Sequence, residues 1–351
     1  MIEHQKHHLQ TVTSYGRRAG SARVRVFDWL DWLGVDAQSH TYLDGASNSP
    51  AVLARAPHLL LNSELKLRQL ASSVGDETLL LSRQASPFSN GRIEARLLGN
   101  SARGIYDFDD ALMHSPSGRL DKLWSKSRVW RRAVLAADIV IAGNDFLANE
   151  ASVHSEDVVV IPSCVNPNEY TTKKSYELQS TPRAVWLGSP STESYLRLVA
   201  EPLLALHRMN GLRITVISAG EGNLGSLGPM VDRVAWHPST FSHHLAAADF
   251  GIMPLDDTEW TRGKCAYKLL QYGATGLPMI GSPVGSNAAV LKAAEGLAAS
   301  SADDWLSAIE SILQESTIRR AARGAAGRDA VERSYSFAGW EATFRKAVGL
   351  T

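Results

Sequence analysis

The chain has 351 residues, of which 44% are hydrophobic and 21% are charged. Lys plus Arg and Asp plus Glu are equal at 36 each, so no net charge draws the chain to nucleic acid, and an anion would need a local pocket. Two cysteines, Cys164 and Cys265, are too few for a disulfide scaffold and suit a reducing compartment. No apolar signal-like segment or run of 18 apolar residues occurs, so we expect a cytoplasmic protein.

Strand-like apolar runs alternate with helical ones along the whole chain, which is typical of parallel α/β sheets. In the first half we expect strands at 10–15, 59–61, 78–81, 104–106, 138–142 and 158–162, with helices at 26–33, 63–74 and 93–98. In the second half we expect strands at 184–187, 212–217, 234–236 and 250–255, with helices at 195–209 and 241–248.

The polar stretch 164–182 contains two prolines and has no apolar periodicity, so it is the best linker in the chain. The predicted domains are therefore an N-terminal domain at 1–165 and, after a linker at 166–182, a C-terminal domain at 183–335. A last helix, 336–351, is expected to brace the first domain. The fold class is α/β, with two Rossmann-like, doubly wound parallel-sheet domains facing a central cleft.

A basic, glycine-containing loop at 16–25 follows the first strand. One interpretation is a surface turn with solvated arginines. The other is a ligand-binding loop in which Gly20, Ser21, Arg23 and Arg25 face the cleft. Together with Asn144, which follows the strand at 138–142, Gly20, Ser21 and Arg23 are our candidates for the acceptor side.

Three carboxylates, Asp107, Asp109 and Asp110, follow the strand at 104–106. Asp109 or Asp110 could cap a helix, or the group could bind a metal ion, although no partner lies at a telling spacing. They could also contact a substrate hydroxyl or act as a base. We take Asp109 and Asp110 as catalytic candidates.

The segment 120–137 reads as a basic amphipathic helix. A solvated helix face explains such a composition, and so does peripheral contact with a membrane surface, here the inner face.

The stretch 262–287 reads as a basic loop, a helix ending at Gly276 and a strand at 279–281. A helix start at the carboxyl edge of a parallel sheet suits an anion such as a phosphate. Arg262, Lys264 and Lys268 are the cations that could hold it, and Lys268 could equally be a solvated lysine.

Four loops of the second half are expected on one sheet edge, at 188–192, 219–222, 236–238 and 255–264. Backbone N–H groups at Gly188 and Ser189 could assist phosphate binding. Trp236 and His237, with Leu255, would lie by a nucleobase, although Trp236 could equally be a core residue.

The combination of IPSCVNPNEY, a GSP loop, AADFGIMPL and KLLQYGATGLPMIGSPVGSN resembles the retaining glycosyltransferases of family 4, which have the GT-B fold. With DFDDAL and the Trp-x-Arg-Gly-Lys run at 260–264, it is similar to a bacterial branch that decorates cell-surface or secondary-metabolite glycans. The resemblance covers most of the chain.

The resemblance implies a UDP or GDP sugar in the second domain and a glycan, lipid-linked or small-molecule acceptor in the first. It implies no metal and no cofactor, since the nucleotide sugar is a co-substrate. The family's two characteristic Glu positions fall on Gly263, at the donor sugar, and on Gln271, at the ribose. Asp109 falls near the family's acceptor-side His, and His114 is an alternative for that position.

The sequence therefore predicts transfer of a sugar from a nucleotide donor to a hydroxyl with retention of configuration. Two alternatives remain at this point. A sugar-nucleotide isomerase of the same fold, similar to the 2-epimerases, would need no acceptor. A non-catalytic nucleotide-sugar or glycan-binding protein would fit the missing Glu pair.

Overall fold

A computed structural model describes residues 9–17, 19–45, 57–116 and 124–350. Its contacts divide the chain into two compact units. The first takes the chain up to Ser163, the three residues Gly263–Cys265 and everything from Trp340 onward. The second takes Cys164–Arg262 and Ala266–Gly339.

The first unit is built on a sheet of six parallel strands in the order β2-β1-β3-β4-β5-β6. Its strands are β1 (Leu9–Thr13), β2 (Gln38–Thr41), β3 (Thr78–Ser82), β4 (Arg103–Phe108), β5 (Ile139–Ala142) and β6 (Val158–Val160). The central strands are apolar runs because helices cover a parallel sheet on both faces. The edge strand β2 is polar and partly exposed, which is why its composition did not predict it.

Helices of the first unit follow the strands in alternation. They are α1 (20–33), α2 (Pro57–Ser73), α3 (Arg92–Asn100), α4 (Lys126–Ala136) and α5 (Asp145–Ser152). In α1 a π-helical turn, Arg23–Phe27, separates α-helical turns at Gly20–Ala22 and Asp28–Leu33. The predicted loop at 16–25 is thus partly wrong, since the helix begins at Gly20.

The strand predicted at 59–61 is also wrong, because these leucines lie inside α2. The leucines continue at helical spacing through Leu67 and Leu70, and a proline at the first helical position is well tolerated. Of the basic helix predicted at 120–137, the structure shows α4, while 120–123 lie outside the described residues.

The second unit has six parallel strands in the order β12-β11-β10-β7-β8-β9. Its strands are β7 (Arg183–Leu187), β8 (Arg213–Ser218), β9 (Val231–Ala235), β10 (Phe250–Met253), β11 (Met279–Gly281) and β12 (Leu297–Ala298). Its helices are α6 (Ala200–Asn210), α7 (Phe241–Ala247), α8 (Glu259–Arg262), α9 (Tyr267–Thr275), α10 (Ser286–Ala293), α11 (Ala302–Gln314) and α12 (Thr317–Ser334). Helix α9 ends as predicted, because Gly276 takes the left-handed conformation at φ 73°.

The last helix is α13 (Phe337–Val348), and the chain from Trp340 is part of the first unit. There the Phe344 ring stacks on Trp29 of α1, with centroids 4.2 Å apart. Trp32 also donates a hydrogen bond to Glu341 at 2.9 Å. These aromatic contacts fix the C-terminal segment to the first sheet's helices.

Candidate active site

The carboxyl edge of the first sheet carries the largest group of predicted acceptor-side residues. Ligands of such sheets bind where the strand order reverses, which here is between β1 and β3. Ser21 follows β1, and Arg83 comes directly after β3. Ser21 was predicted here, and Arg83 was missed. The signal for Arg83 was present in the sequence, because it is the first charged residue beyond the buried run of leucines in β3.

Two cations and two carboxylates form one network at this edge, all within the first unit. Asp110 accepts a hydrogen bond from Lys264 Nζ to Oδ1 at 2.6 Å, and its Oδ2 lies 2.8 Å from Arg83 Nη1. Arg83 Nη1 also donates to Ser21 Oγ at 2.7 Å and lies 3.6 Å from Asp109 Oδ1. Asp109 Oδ1 is buried and has no hydrogen-bond partner among the residues that the structure describes.

Asp110 is held in its ionised form. Burial raises the pKa of this carboxyl, but Arg83 and Lys264 together outweigh burial and hold the pKa below its usual range. For Arg83, burial opposes the charge, yet Asp110 and Asp109 outweigh it and raise the pKa. Arg83 and Asp110 are therefore both charged around neutral pH.

Residues 263–265 are attached to this edge. Cys265 Sγ donates to the Asp109 carbonyl at 3.4 Å, and Asn144 Nδ2 donates to the Lys264 carbonyl at 3.3 Å. A Cβ on Gly263 would lie 2.6 Å from the Ala111 Cβ and 2.7 Å from its backbone nitrogen. A glutamate therefore does not fit at residue 263, which explains in physical terms why this position differs from the resemblance.

Two predictions at this edge need correction. Arg25, expected in an exposed ligand-binding loop, is 1% exposed, because the helix that begins at Gly20 turns it inward. Its Nη2 lies 2.6 Å from Asp107 Oδ1, and its Nη1 donates to the Ile161 carbonyl at 2.8 Å. Burial disfavours the Arg25 charge, but Asp107 outweighs burial and raises the pKa of Arg25. The second correction concerns Asp107, which was expected to follow the strand. It lies within β4 and forms the buried pair with Arg25.

The helix-cap and metal-site alternatives for Asp109 and Asp110 can be compared with the structure. The short helical turn Leu112–His114 receives no hydrogen bond from a capping side chain, so the helix-cap alternative is wrong. Among the described residues no group of three or more His, Cys, Asp or Glu side chains could hold a metal ion.

The other acceptor-side candidates lie at helix starts. Asn144 caps a helix, accepting from Leu147 N at 2.9 Å. Gly20 begins α1, and Arg23 Nε lies 3.7 Å from Asp28.

In the second unit the strand order reverses between β7 and β10. Gly188 comes directly after β7, and Leu255 lies two residues beyond β10, so both flank that point. Leu255 N donates to Ser282 Oγ at 3.0 Å. Ser189 is exposed, and its hydroxyl lies 3.0 Å from Ser191 Oγ.

The start of α9 lies at the same edge. Ala266 precedes the helix with φ 53°, and its own side chain makes no capping hydrogen bond. The positive end of the helix dipole therefore lies at this edge. Lys268 is brought to Gly188, since a Cβ at Gly188 would lie 2.9 Å from Lys268 Cε. The Lys268 ammonium lies 5.1 Å from the centre of the Trp186 ring.

The other predicted donor residues are more scattered. Arg262 is half exposed and pairs with Asp257 at 2.6 Å. Gln271 is buried in α9, one turn beyond Lys268. Trp236 is partly buried and stacks on Phe241 at 6.0 Å, as its core interpretation requires. His237 is exposed, with Nδ1 2.8 Å from Ser239 Oγ.

Sequence reasoning also missed two buried polar atoms of the second unit. Within the described part of the chain, Ser218 Oγ at the end of β8 has no hydrogen-bond partner, and neither has Asn287 Oδ1 in α10. Buried polar atoms usually have partners, so orphaned atoms near a ligand edge are candidates for contacts with a ligand.

None of the helices in the described part of the chain combines the length and the apolar character that crossing a membrane requires.

A scan against models of protein families finds no match, and a search of curated proteins finds none either. Solved structures, in contrast, match over nearly the full length. HepE from Anabaena, in complex with UDP and glucose, aligns with a TM-score of 0.68 at 10% identity, covering 98% of this chain and 99% of its own.

An α,α-trehalose-phosphate synthase (UDP-forming) from Burkholderia vietnamiensis aligns with a TM-score of 0.66 at 13% identity, covering 97% of each chain. WaaG, a glycosyltransferase involved in lipopolysaccharide biosynthesis, aligns with a TM-score of 0.64 at 14% identity, covering 97% of this chain and 99% of its own. At such identities the likeness concerns the fold, and it confirms the predicted fold: the chain has the two-domain α/β architecture of these glycosyltransferases, GT-B.

Proposed function

We propose that this protein is a retaining glycosyltransferase related to family 4, which moves a sugar from a nucleotide donor to a hydroxyl acceptor without a metal ion or cofactor. The observation that carries the proposal is the full-length structural match to GT-B glycosyltransferases, two of which are described with UDP. The polar groups at the carboxyl edges of both sheets support it, because those edges are where such folds bind ligands.

The second unit binds the donor in this proposal. The uncapped start of α9 and the Lys268 ammonium provide positive charge for the diphosphate, with the backbone at Gly188 and Ser189 beside them. These groups stabilise the charge that develops as the nucleoside diphosphate leaves. Gln271, Leu255 and the 236–237 segment contact the nucleoside, and Arg262 is a further phosphate ligand.

The first unit binds the acceptor, through Asp109, Asp110, Ser21 and the residues around them. An acceptor hydroxyl donates a hydrogen bond to Asp109 Oδ1, which receives no hydrogen bond from the described residues. The acceptor oxygen then bonds to the anomeric carbon from the face that the phosphate leaves. The bond between the anomeric carbon and the phosphate oxygen breaks, the nucleoside diphosphate leaves with that electron pair, and the hydroxyl proton passes to Asp109 Oδ1, the oxygen that accepts its hydrogen bond. Lys264, predicted as a phosphate ligand, pairs with Asp110 of this site at 2.6 Å.

A thermal-shift screen against UDP, GDP and dTDP sugars, followed by a transfer assay, tests the proposal. A ligand that binds the folded protein at about 100 times its dissociation constant adds about 2.7 kcal/mol of stability. We expect one nucleotide class to raise the melting temperature, and transfer to persist in a chelator. The product's anomeric configuration, read by NMR, tests retention. The absence of any nucleotide-dependent shift would sink the proposal.

We also propose peripheral contact with an anionic membrane at the cytoplasmic face, where helices α3 and α4 carry six basic residues and one buried carboxylate, Glu94. A groove of about 430 Å³ between them is lined by Arg92, Arg96 and Arg132, beside Leu135, which is 58% exposed. Each basic residue near such a surface contributes about 1 kcal/mol.

Sedimentation with phosphatidylglycerol vesicles and with neutral vesicles tests this contact. We expect binding to the anionic vesicles alone. Changing the three groove arginines to Gln should weaken it by at least about tenfold. Arg319→Gln, at an exposed pair with Glu295 in the second unit, serves as the matched control. Equal binding to both vesicle types would rule out the charge-based contact.

A further inference from the structure

Arg83 has an unusual backbone conformation at the end of β3. Its φ is 64°, in the left-handed region that a long side chain rarely adopts. The neighbouring strand β4 holds both of its peptide groups: Arg83 N donates to the Asp107 carbonyl at 2.8 Å, and Tyr106 Oη donates to the Arg83 carbonyl at 2.9 Å. Conformations fixed in this way are concentrated at functional sites.

One guanidinium nitrogen of Arg83, Nη1, lies near three polar side-chain atoms. Arg83 Nη1 has two hydrogens, and its short contacts are with Ser21 Oγ at 2.7 Å and Asp110 Oδ2 at 2.8 Å. The third, Asp109 Oδ1, lies 3.6 Å away, so it is near the positive charge but receives no hydrogen bond. Asp109 is thus kept close to a cation while its oxygen stays available to a ligand.

Charge balance alone would not require this arrangement. Asp110 already has Lys264 at 2.6 Å, and Asp107 has its own cation in Arg25. Arg83 nevertheless places its short contacts on Ser21 and on Asp110, which already has a cation, while Asp109 Oδ1 stays buried without a hydrogen bond from the described residues. A buried polar atom without a hydrogen bond costs free energy.

We propose that Arg83 is a positioning residue of the acceptor site: it fixes Asp110 and Ser21 and thereby presents Asp109 Oδ1 to a substrate hydroxyl. The inference rests on the proposed function and goes beyond it, since it identifies which carboxylate meets the acceptor and what holds it. Because the two cations and two carboxylates of the network balance, the group bound there is an uncharged hydroxyl.

The test compares Arg83→Met and Arg83→Lys with the wild type in transfer assays across pH. Arg83 is the largest influence that lowers the pKa of Asp110, so removing this cation raises the pKa of that carboxyl. The acid limb of the rate profile should therefore move up by about one pH unit in Arg83→Met. Its kcat should fall at least about tenfold while donor affinity stays within about twofold. Arg83→Lys should restore the acid limb but only part of kcat.

Two further measurements keep the outcome decisive. Ser21→Ala removes a hydrogen-bond acceptor and no charge, so it should lower kcat without moving the acid limb. NMR titration of ¹³C-labelled aspartates needs no substrate and should show the same rise in pKa in Arg83→Met. A folded Arg83→Met protein with unchanged aspartate titration and unchanged kcat would overturn the assignment, whereas a wild type that binds no nucleotide sugar would overturn the proposed function instead.

Discussion

The carboxyl edges of the two sheets hold their charges in different ways. In the first unit Arg83, Lys264, Asp109 and Asp110 form a balanced network whose side chains are only 12–25% exposed. In the second unit an uncapped helix start and Lys268 add positive charge beside the exposed hydroxyl of Ser189. The first edge suits an uncharged ligand in a fixed orientation, and the second suits an anion.

The first edge also rests on a buried ionic layer. Beneath Asp109 and Asp110, Asp107 and Arg25 are both 1% exposed and pair at 2.6 Å. Burying two charges is costly, so such a pair is retained where its geometry fixes the surrounding structure, and here it links α1, β4 and the Ile161 carbonyl beyond β6. The first edge therefore has two layers. The buried Arg25–Asp107 pair stabilises the fold, and the network of Arg83, Lys264, Asp109 and Asp110 is the candidate ligand site.

The largest effect is expected from Arg25→Met. It leaves the Asp107 carboxylate buried without its cation, which costs about 3–5 kcal/mol of the free energy of unfolding of the first unit. Urea denaturation followed by tryptophan fluorescence measures this loss. The matched control is Arg17→Met, at an exposed pair with Asp31, and it should cost less than about 1 kcal/mol. Equal losses in the two variants would contradict the layered interpretation.

A smaller effect, on rate instead of stability, is expected from Asp109→Asn. Asp109 Oδ1 accepts no hydrogen bond from the described residues, and Arg83 keeps Asp110 at 2.8 Å, so the melting temperature should change little. The value of kcat should fall by about 100-fold. Steady-state transfer assays give kcat, and thermal unfolding shows whether the fold is kept. Asp31→Asn, at the exposed pair with Arg17, is the control and should leave kcat unchanged. Wild-type turnover in Asp109→Asn would place the acceptor elsewhere.

The sequence predicted most of this architecture because strand-and-helix alternation carries the information for parallel sheets. Strands such as Thr78–Ser82 and helix α9 with its Gly276 stop have local signals that tertiary contacts only reinforce. The failures have physical causes. The edge strand Gln38–Thr41 is polar, and the leucines at 59–61 read equally well as strand or helix.

The site was less accessible to sequence reasoning. The sequence predicted Gly188 and Lys268 at one edge of the sheet, because strand ends and helix starts share an edge, and the two residues are neighbours in the structure. Which charges pair is decided by long-range geometry: nothing local shows that Arg25 turns inward to Asp107 or that Lys264 meets Asp110, 154 positions away. The position of Arg83 at the end of a strand could be predicted from the sequence, but its contacts with Ser21 and Asp110 could not.

The smallest effect is expected from Lys268→Met, which tests whether the second edge is the anion site. Lys268 is partly exposed and shares the site with helix N–H groups, so its loss should weaken donor binding by about tenfold, or about 1.4 kcal/mol. Calorimetry with the nucleotide sugar measures this change in affinity. A higher salt concentration should reduce the difference in donor affinity between the variant and the wild type, because screening weakens the ionic contact that only the wild type makes. Lys292→Met, on the exposed face of α10, removes the same charge and should change nothing. If Lys268→Met binds the donor as tightly as the wild type while Lys264→Met does not, the phosphates are held by the network of the first unit, and the division of labour between the two edges is wrong.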